Sequence, residues 1–152
     1  MGVIVVGVDG SKSSRVALEW ALAEAKLRGS TLRAVHAWMI PAVGTSEAPW
    51  ALMGTTDYLA LDSSEIEKAA GDALEREISE VQAGAGSDVV IERQVVDSPA
   101  AQAIIDASKD AELVVVGTRG HGAIASLVLG SVSHHVVQHA TCPVVTVREP
   151  GA

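Results

Sequence analysis

The 152-residue chain carries 11 Lys and Arg against 19 Asp and Glu, a net charge of −8, which argues against a polyanionic partner such as a nucleic-acid backbone. Hydrophobic residues make up 48%, enough for one domain with a real core and too many for disorder. Three Trp, one Tyr and no Phe are too few for a base-stacking platform, and the single cysteine, Cys142, excludes an internal disulfide and fits a reducing compartment.

The opening, MGVIVVGVDG, lacks the basic start and long apolar core of a secretory leader. No apolar run approaches the ~18 residues of a membrane span. A cytoplasmic protein is expected. Gly2 invites a myristoylation reading, but the run behind it has the makings of a core strand. Val3–Val8 is unbroken, apolar and β-branched, as in a strand buried on both faces. Asp9-Gly10-Ser11 reads as a turn, with Ser11 or Ser13 as the cap of a first helix. Val16, Trp20, Ala23 and Leu27 give that helix its stripe, and Gly29 ends it.

Thr31–Trp38 is the second predicted strand. From Met39 to about Asp62 the rhythm breaks, with Pro41, Gly44, Pro49 and Gly54. This stretch is either a cover for a ligand site or a surface loop. Apolar residues at 66, 69, 70, 73, 74, 78 and 81 mark the second helix. A third strand is predicted near Val89–Val96, a third helix near Ala100–Ser108 and a fourth strand near Leu113–Val116. A fourth helix and a fifth strand, Val144–Val147, complete the series. The alternation predicts an α/β fold: one open, mostly parallel sheet with helices on both faces, in a single domain over residues 1–149. Ligands of such sheets bind beyond the carboxyl ends of the strands, where the strand order reverses.

Two loops have the chemistry for that place. One is Val8-Asp9-Gly10-Ser11. The other is GTRGHGAIASLVLGS at 117–131, directly after the apolar run LVVV. Its spacing is Gly117, two residues, Gly120, nine residues, then Gly130-Ser131. Glycines permit sharp turns and close approach, and a helix start presents unpaired N–H groups and partial positive charge. Together these suit a phosphate. No Asp or Glu occurs from Leu113 to Arg148, whereas Arg119, Arg148 and four histidines do. An anion site in an acidic chain needs such a carboxylate-free neighbourhood.

Other nucleotide signatures are absent: no GxxxxGK[ST] and no GxGxxG after the first strand. The spacing present, G-x2-G-x9-G-[ST], resembles the ATP-binding motif of the universal stress protein family. VIVVGVDGSKSS, VVVGTRGHG and GSVSHHVVQHATCPVVTV resemble that family in order and spacing across the whole chain. The resemblance implies a five-stranded parallel sheet of order 3-2-1-4-5, an adenine nucleotide alpha hydrolase-like fold. It implies ATP and Mg2+ as ligands. Gly7, Val8 and Asp9 would lie at the ribose and phosphates, with Asp9 helping to hold the magnesium ion. Ala37 would meet adenine through its backbone, and Val96 and Val116 would wall the base. Gly117 and Gly120 would pass over the ribose and phosphates. Gly130, Ser131, Val132 and Ser133 would bind phosphates through N–H groups and the two hydroxyls. Arg119 offers a cation near the triphosphate. Asp97 departs from the family, many of whose members carry Gly before the Ser98-Pro99 pair.

Sharper chemistry finds less support. His135 and His139 have the i, i+4 spacing of zinc ligands, but Val136 stands where a metalloprotease needs Glu. Ser131, Ser133 and His134 lack an orienting acid for nucleophilic catalysis. Of the requirements of phosphoryl transfer, only charge stabilisation is visible; His121 has the chemistry to orient a water, but a loop histidine between two glycines can equally have no role. The sequence therefore indicates an ATP-binding regulatory or stress-response protein, with slow hydrolysis at most. The resemblance adds a homodimer through the C-terminal strand. The alternative is a nucleotide-independent interaction or holdase-like module.

Overall fold

The apolar runs become strands Val3–Gly7 (β1), Thr31–Trp38 (β2), Ile91–Asp97 (β3), Leu113–Gly117 (β4) and Val144–Val147 (β5). Between them lie helices Lys12–Arg28 (α1), Ser63–Ala85 (α2), Ala100–Ala107 (α3) and Ser131–His139 (α4), with a short 3-10 turn at Ser108–Asp110. This computed structural model describes residues 2–39, 62–119 and 129–150. All neighbouring strands pair in parallel, in the order β3-β2-β1-β4-β5.

The period of two along β1 builds the core on both sides of the sheet. Ile4, Val6 and Val8 join Ala17, Leu18, Ala21, Leu22, Leu74 and Ile78 beneath α1 and α2. Val5 points the other way, into Val35, Ile104, Val114, Val116 and Val136 beneath α3 and α4. A strand covered on both faces has no polar side, which is why residues 3–8 show no alternation.

α1 forms where the sequence places it but buries a different face. Its inner residues are Ser13, Ser14, Ala17, Leu18, Ala21, Leu22 and Ala25. The stripe read from the sequence lies outside: Leu27 is 81% exposed and Trp20 37%. Small residues let the helix axis approach the central strands, and close packing of alanines leaves a weak hydrophobic signal. Ser11, not Ser13, is the cap, its hydroxyl accepting from the Ser14 N–H (3.1 Å). Gly29, with φ 68°, ends the helix in a left-handed turn.

α2 starts at Asp62, whose carboxylate accepts from the Glu65 N–H (2.9 Å). Four of its seven apolar positions, Ile66, Leu74, Ile78 and Val81, are buried. β3 begins two residues later than predicted. The Val89 carbonyl accepts from the Gln82 side-chain amide (2.9 Å), and pairing with β2 starts at Ile91.

β1 and β4 are direct neighbours, with Val5 opposite Val114 and Val6 opposite Val115. The chain runs from β1 to β2 and β3 on one side, and the later strands β4 and β5 lie on the other. The strand order thus reverses between β1 and β4, and the loops leaving their carboxyl ends are neighbours.

Candidate functional site

The β1 loop is organised by Asp9. Gly10 adopts φ 80°, a left-handed turn that brings Ser11 back over the carboxylate. Asp9 Oδ1 accepts from both the N–H (2.9 Å) and the hydroxyl of Ser11. The Asp9 N–H donates to Ser14 Oγ (3.2 Å). Just before it, the Val8 carbonyl lies 2.7 Å from His36 Nδ1. A carbonyl only accepts, so that nitrogen carries the proton. The imidazole thereby ties the end of β1 to β2 one residue before Asp9.

The β4 loop is pinned where it leaves and where it returns. The Thr118 N–H donates to Val147 O (3.1 Å), and Thr118 O accepts from the Gly130 N–H (2.6 Å). The buried Ser133 hydroxyl donates to the carbonyls of Thr118 (3.2 Å) and Gly130 (3.0 Å). Thr118, where the chain leaves β4, and Gly130, where it enters α4, are therefore held together directly. Gly130 caps α4 without a side chain, and the first N–H groups of a helix lack intrahelical partners. Ser131 is exposed and Val132 half-buried at this helix start. Gly120 and His121 lie outside the described residues, as does most of the 39–62 stretch.

The β4 loop meets the first turn of α1, which follows directly on the β1 loop. The Arg119 N–H donates to the buried Ser13 Oγ at the start of α1 (3.2 Å). A Cβ at Gly117 would sit 2.7 Å from the carbonyl carbon and 2.8 Å from the carbonyl oxygen of Ser13. Glycine there permits the approach of β4 to α1. Gly7 serves packing: a Cβ would meet Ile104 Cδ1 at 2.6 Å. The three residues expected around a base share one face of the sheet. Ala37 is in register with Val96, and both pack against the cluster that contains Val116. Asp97 ends β3 opposite Trp38, exposed, and the Ser98 N–H donates to Trp38 O (3.1 Å).

Glu77 on α2 extends the acidic side of this region. Its carboxyl is pushed up chiefly by partial burial; Arg15 opposes this, and the charge of Asp9 adds to it. A cleft of about 260 Å³ between α1 and α2 is lined by Lys12, Arg15, Arg76, Glu77 and Glu80 among others, and by none of the described residues of the β4 loop. His135 and His139 stack their rings on the exposed side of α4, 4.3 Å between centroids. Among the described residues no three His, Cys, Asp or Glu side chains come together as a metal site. No helix among them is long and apolar enough to cross a membrane.

The family model of the universal stress proteins matches residues 1–148. The chain belongs to the universal stress protein family. A universal stress protein of Mycobacterium tuberculosis, Rv1996, is 35% identical over 159 residues; the match covers 96% of this chain and 48% of that one. The chain thus spans about half the length of the curated relatives it matches. Among solved structures, the universal stress protein UspA from Lactobacillus plantarum superposes with a TM-score of 0.75 at 23% identity, covering 97% of both chains. A universal stress protein crystallised in complex with cAMP superposes with a TM-score of 0.69 at 26% identity, covering 96% of both.

Sequence reasoning missed three residues of this region. Ser13 read only as a possible helix cap, and Ser14 and His36 had no assigned role. The signal for the two serines was hydroxyls within the first turn of a helix that follows a strand, where Ala would serve the helix better.

Proposed function

We propose that this universal stress protein binds ATP at the carboxyl ends of β1 and β4 and acts as a nucleotide-dependent regulatory protein. The observation that carries the reading is that the first turn of α1 ties the Asp9 loop and the Gly117–Ser133 loop together at the reversal of strand order. Adenine would lie against Ala37, Val96 and Val116. The N–H groups of Ser131, Val132 and Ser133 at the start of α4 would take phosphate oxygens, aided by the helix dipole. The Ser133 hydroxyl already closes the loop, so its hydroxyl contribution to phosphate would require exchange of that bond. Arg119 adds positive charge on the same loop. The relative solved with cAMP supports an adenine nucleotide as the ligand class.

Asp9 suits a magnesium ion. Two donors on Oδ1 suit an ionised carboxylate, the hard oxygen ligand such an ion takes. Among the described residues no three such side chains converge on it, so the ion would come with the phosphates; when bound, it would neutralise phosphate charge. Nothing in the described residues supplies an in-line nucleophile or positioned base, so hydrolysis is expected to be slow at most. A cytoplasmic homodimer through β5 completes the proposal.

Native mass spectrometry of freshly purified protein, with extraction of any bound nucleotide, tests it. Co-purified ATP or ADP, or uptake of added Mg-ATP, is expected. A protein that is empty and also ignores Mg-ATP overturns the reading in favour of a nucleotide-independent interaction module. The ATP to ADP ratio over time separates a binder from a hydrolase.

A further inference from the structure

The first turn of α1 carries two adjacent buried hydroxyls, and each holds a different loop. Ser14 Oγ accepts from the N–H of Asp9, on the β1 loop. Ser13 Oγ accepts from the N–H of Arg119, 106 residues away on the β4 loop. Ser13 is 1% exposed and Ser14 5%, so water does not compete for either bond. Consecutive helical residues project about 100° apart, so neighbouring hydroxyls diverge toward two partners.

Neither serine is the helix cap, because Ser11 fills that role. Ser is a poorer helix former than Ala, and the same buried face continues as Ala17, Ala21 and Ala25. The proton of Ser14 goes to Ser11 O (3.1 Å), which leaves its lone pairs for the Asp9 N–H. Gly117 adds a second tie on the other side, packed against the Ser13 backbone.

We propose that Ser13 and Ser14 are positioning residues that fix the spacing between the Asp9 loop and the Gly117–Ser133 loop. They thereby set how tightly the phosphates of a nucleotide are held. The ligand in this statement rests on the nucleotide reading above, whereas the loop spacing does not.

Ser13→Ala and Ser14→Ala test it, each by amide hydrogen exchange without ligand and by calorimetric titration with Mg-ATP and with adenosine. Ser13→Ala is expected to speed exchange at Arg119 and leave Asp9 unchanged; Ser14→Ala is expected to do the reverse. Affinity for ATP should fall about fivefold in each, the worth of one ordinary hydrogen bond, while adenosine binding stays within about twofold. Exchange that rises at both amides together, with ATP and adenosine weakened alike, would mean general loosening and would overturn the proposal. So would unchanged exchange. Should Ser13→Ala fail to fold, Ser13→Cys keeps the volume with a weaker acceptor, and Arg119 exchange equal to wild type would overturn it. If wild-type protein takes up no ATP, the nucleotide reading fails, and the exchange data alone decide whether the serines space the loops.

Discussion

At the scale of single residues, glycines with different neighbours separate site from packing. A methyl at Gly117 meets the carbonyl of Ser13, which can move only with the helix that carries it. A methyl at Gly7 meets the tip of Ile104, which can rotate away. Gly117→Ala is therefore expected to cost about 1–3 kcal/mol of stability and to weaken ATP binding, and Gly7→Ala to cost less. Urea unfolding with ATP titration of both variants checks this; equal effects would remove the special role of Gly117. Glu77 makes a pH prediction. Burial and the nearby Asp9 raise its proton affinity in the folded state. The folded state thus favours the protonated form, and this contribution to stability is lost as pH rises through the raised value. Glu77→Gln should raise the melting temperature at pH 7, and the gain should shrink as pH falls through the ordinary carboxylate range. A gain that persists undiminished at pH 3 would show that charge is not the cause.

At the scale of elements, α1 shows what the sequence hides. Trp20 and Leu27 face outward, and the helix buries Leu18 and Leu22 among alanines and serines. Leucines stand on both faces, so the bulk of Trp20 tips the periodicity toward the outer one, and the alanines and serines of the inner face add little hydrophobic signal against it. Leu22→Ala should cost about 2–5 kcal/mol through the cavity it leaves. Leu27→Gln should change stability by no more than about 0.5 kcal/mol. Chemical denaturation of the pair decides; a large loss from Leu27→Gln would mean that the outer face of α1 is covered. The strands were legible because β-branched runs between turn residues have few other readings. The glycine motif was legible because its spacing is an unusual constraint on the chain. Strand order was not, since nothing in residues 3–8 and 113–116 names their neighbour; only the family resemblance supplied it. The Ser13 bond to Arg119 joins residues 106 apart, and nothing in the sequence names that partner.

At the scale of the whole molecule, the open sheet has two edges, and they differ in protection. β3 carries Glu92 and Arg93 exposed, with Glu92 paired to Arg33 and Arg93 to Glu75. Charge of this kind keeps an edge strand from pairing with another chain. β5 reads Val144-Val145-Thr146-Val147, without a charge, and Thr146 is its one exposed residue. An uncharged edge is the natural place for a second copy, and isologous pairing of β5 with β5 would cover both edges at once. Thr146 sits inside that short strand, so a two-fold axis through β5 would bring the two copies of its side chain near one another. Like charges facing each other across strands destabilise pairing. Thr146→Glu is therefore expected to convert a dimer into monomers in sedimentation velocity, while circular dichroism shows the same fold. A wild-type protein that sediments as a monomer at tens of micromolar (roughly 10–50 µM, where an interface of ordinary size holds) would remove the homodimer from the proposal. A dimer that survives Thr146→Glu would place its interface away from β5.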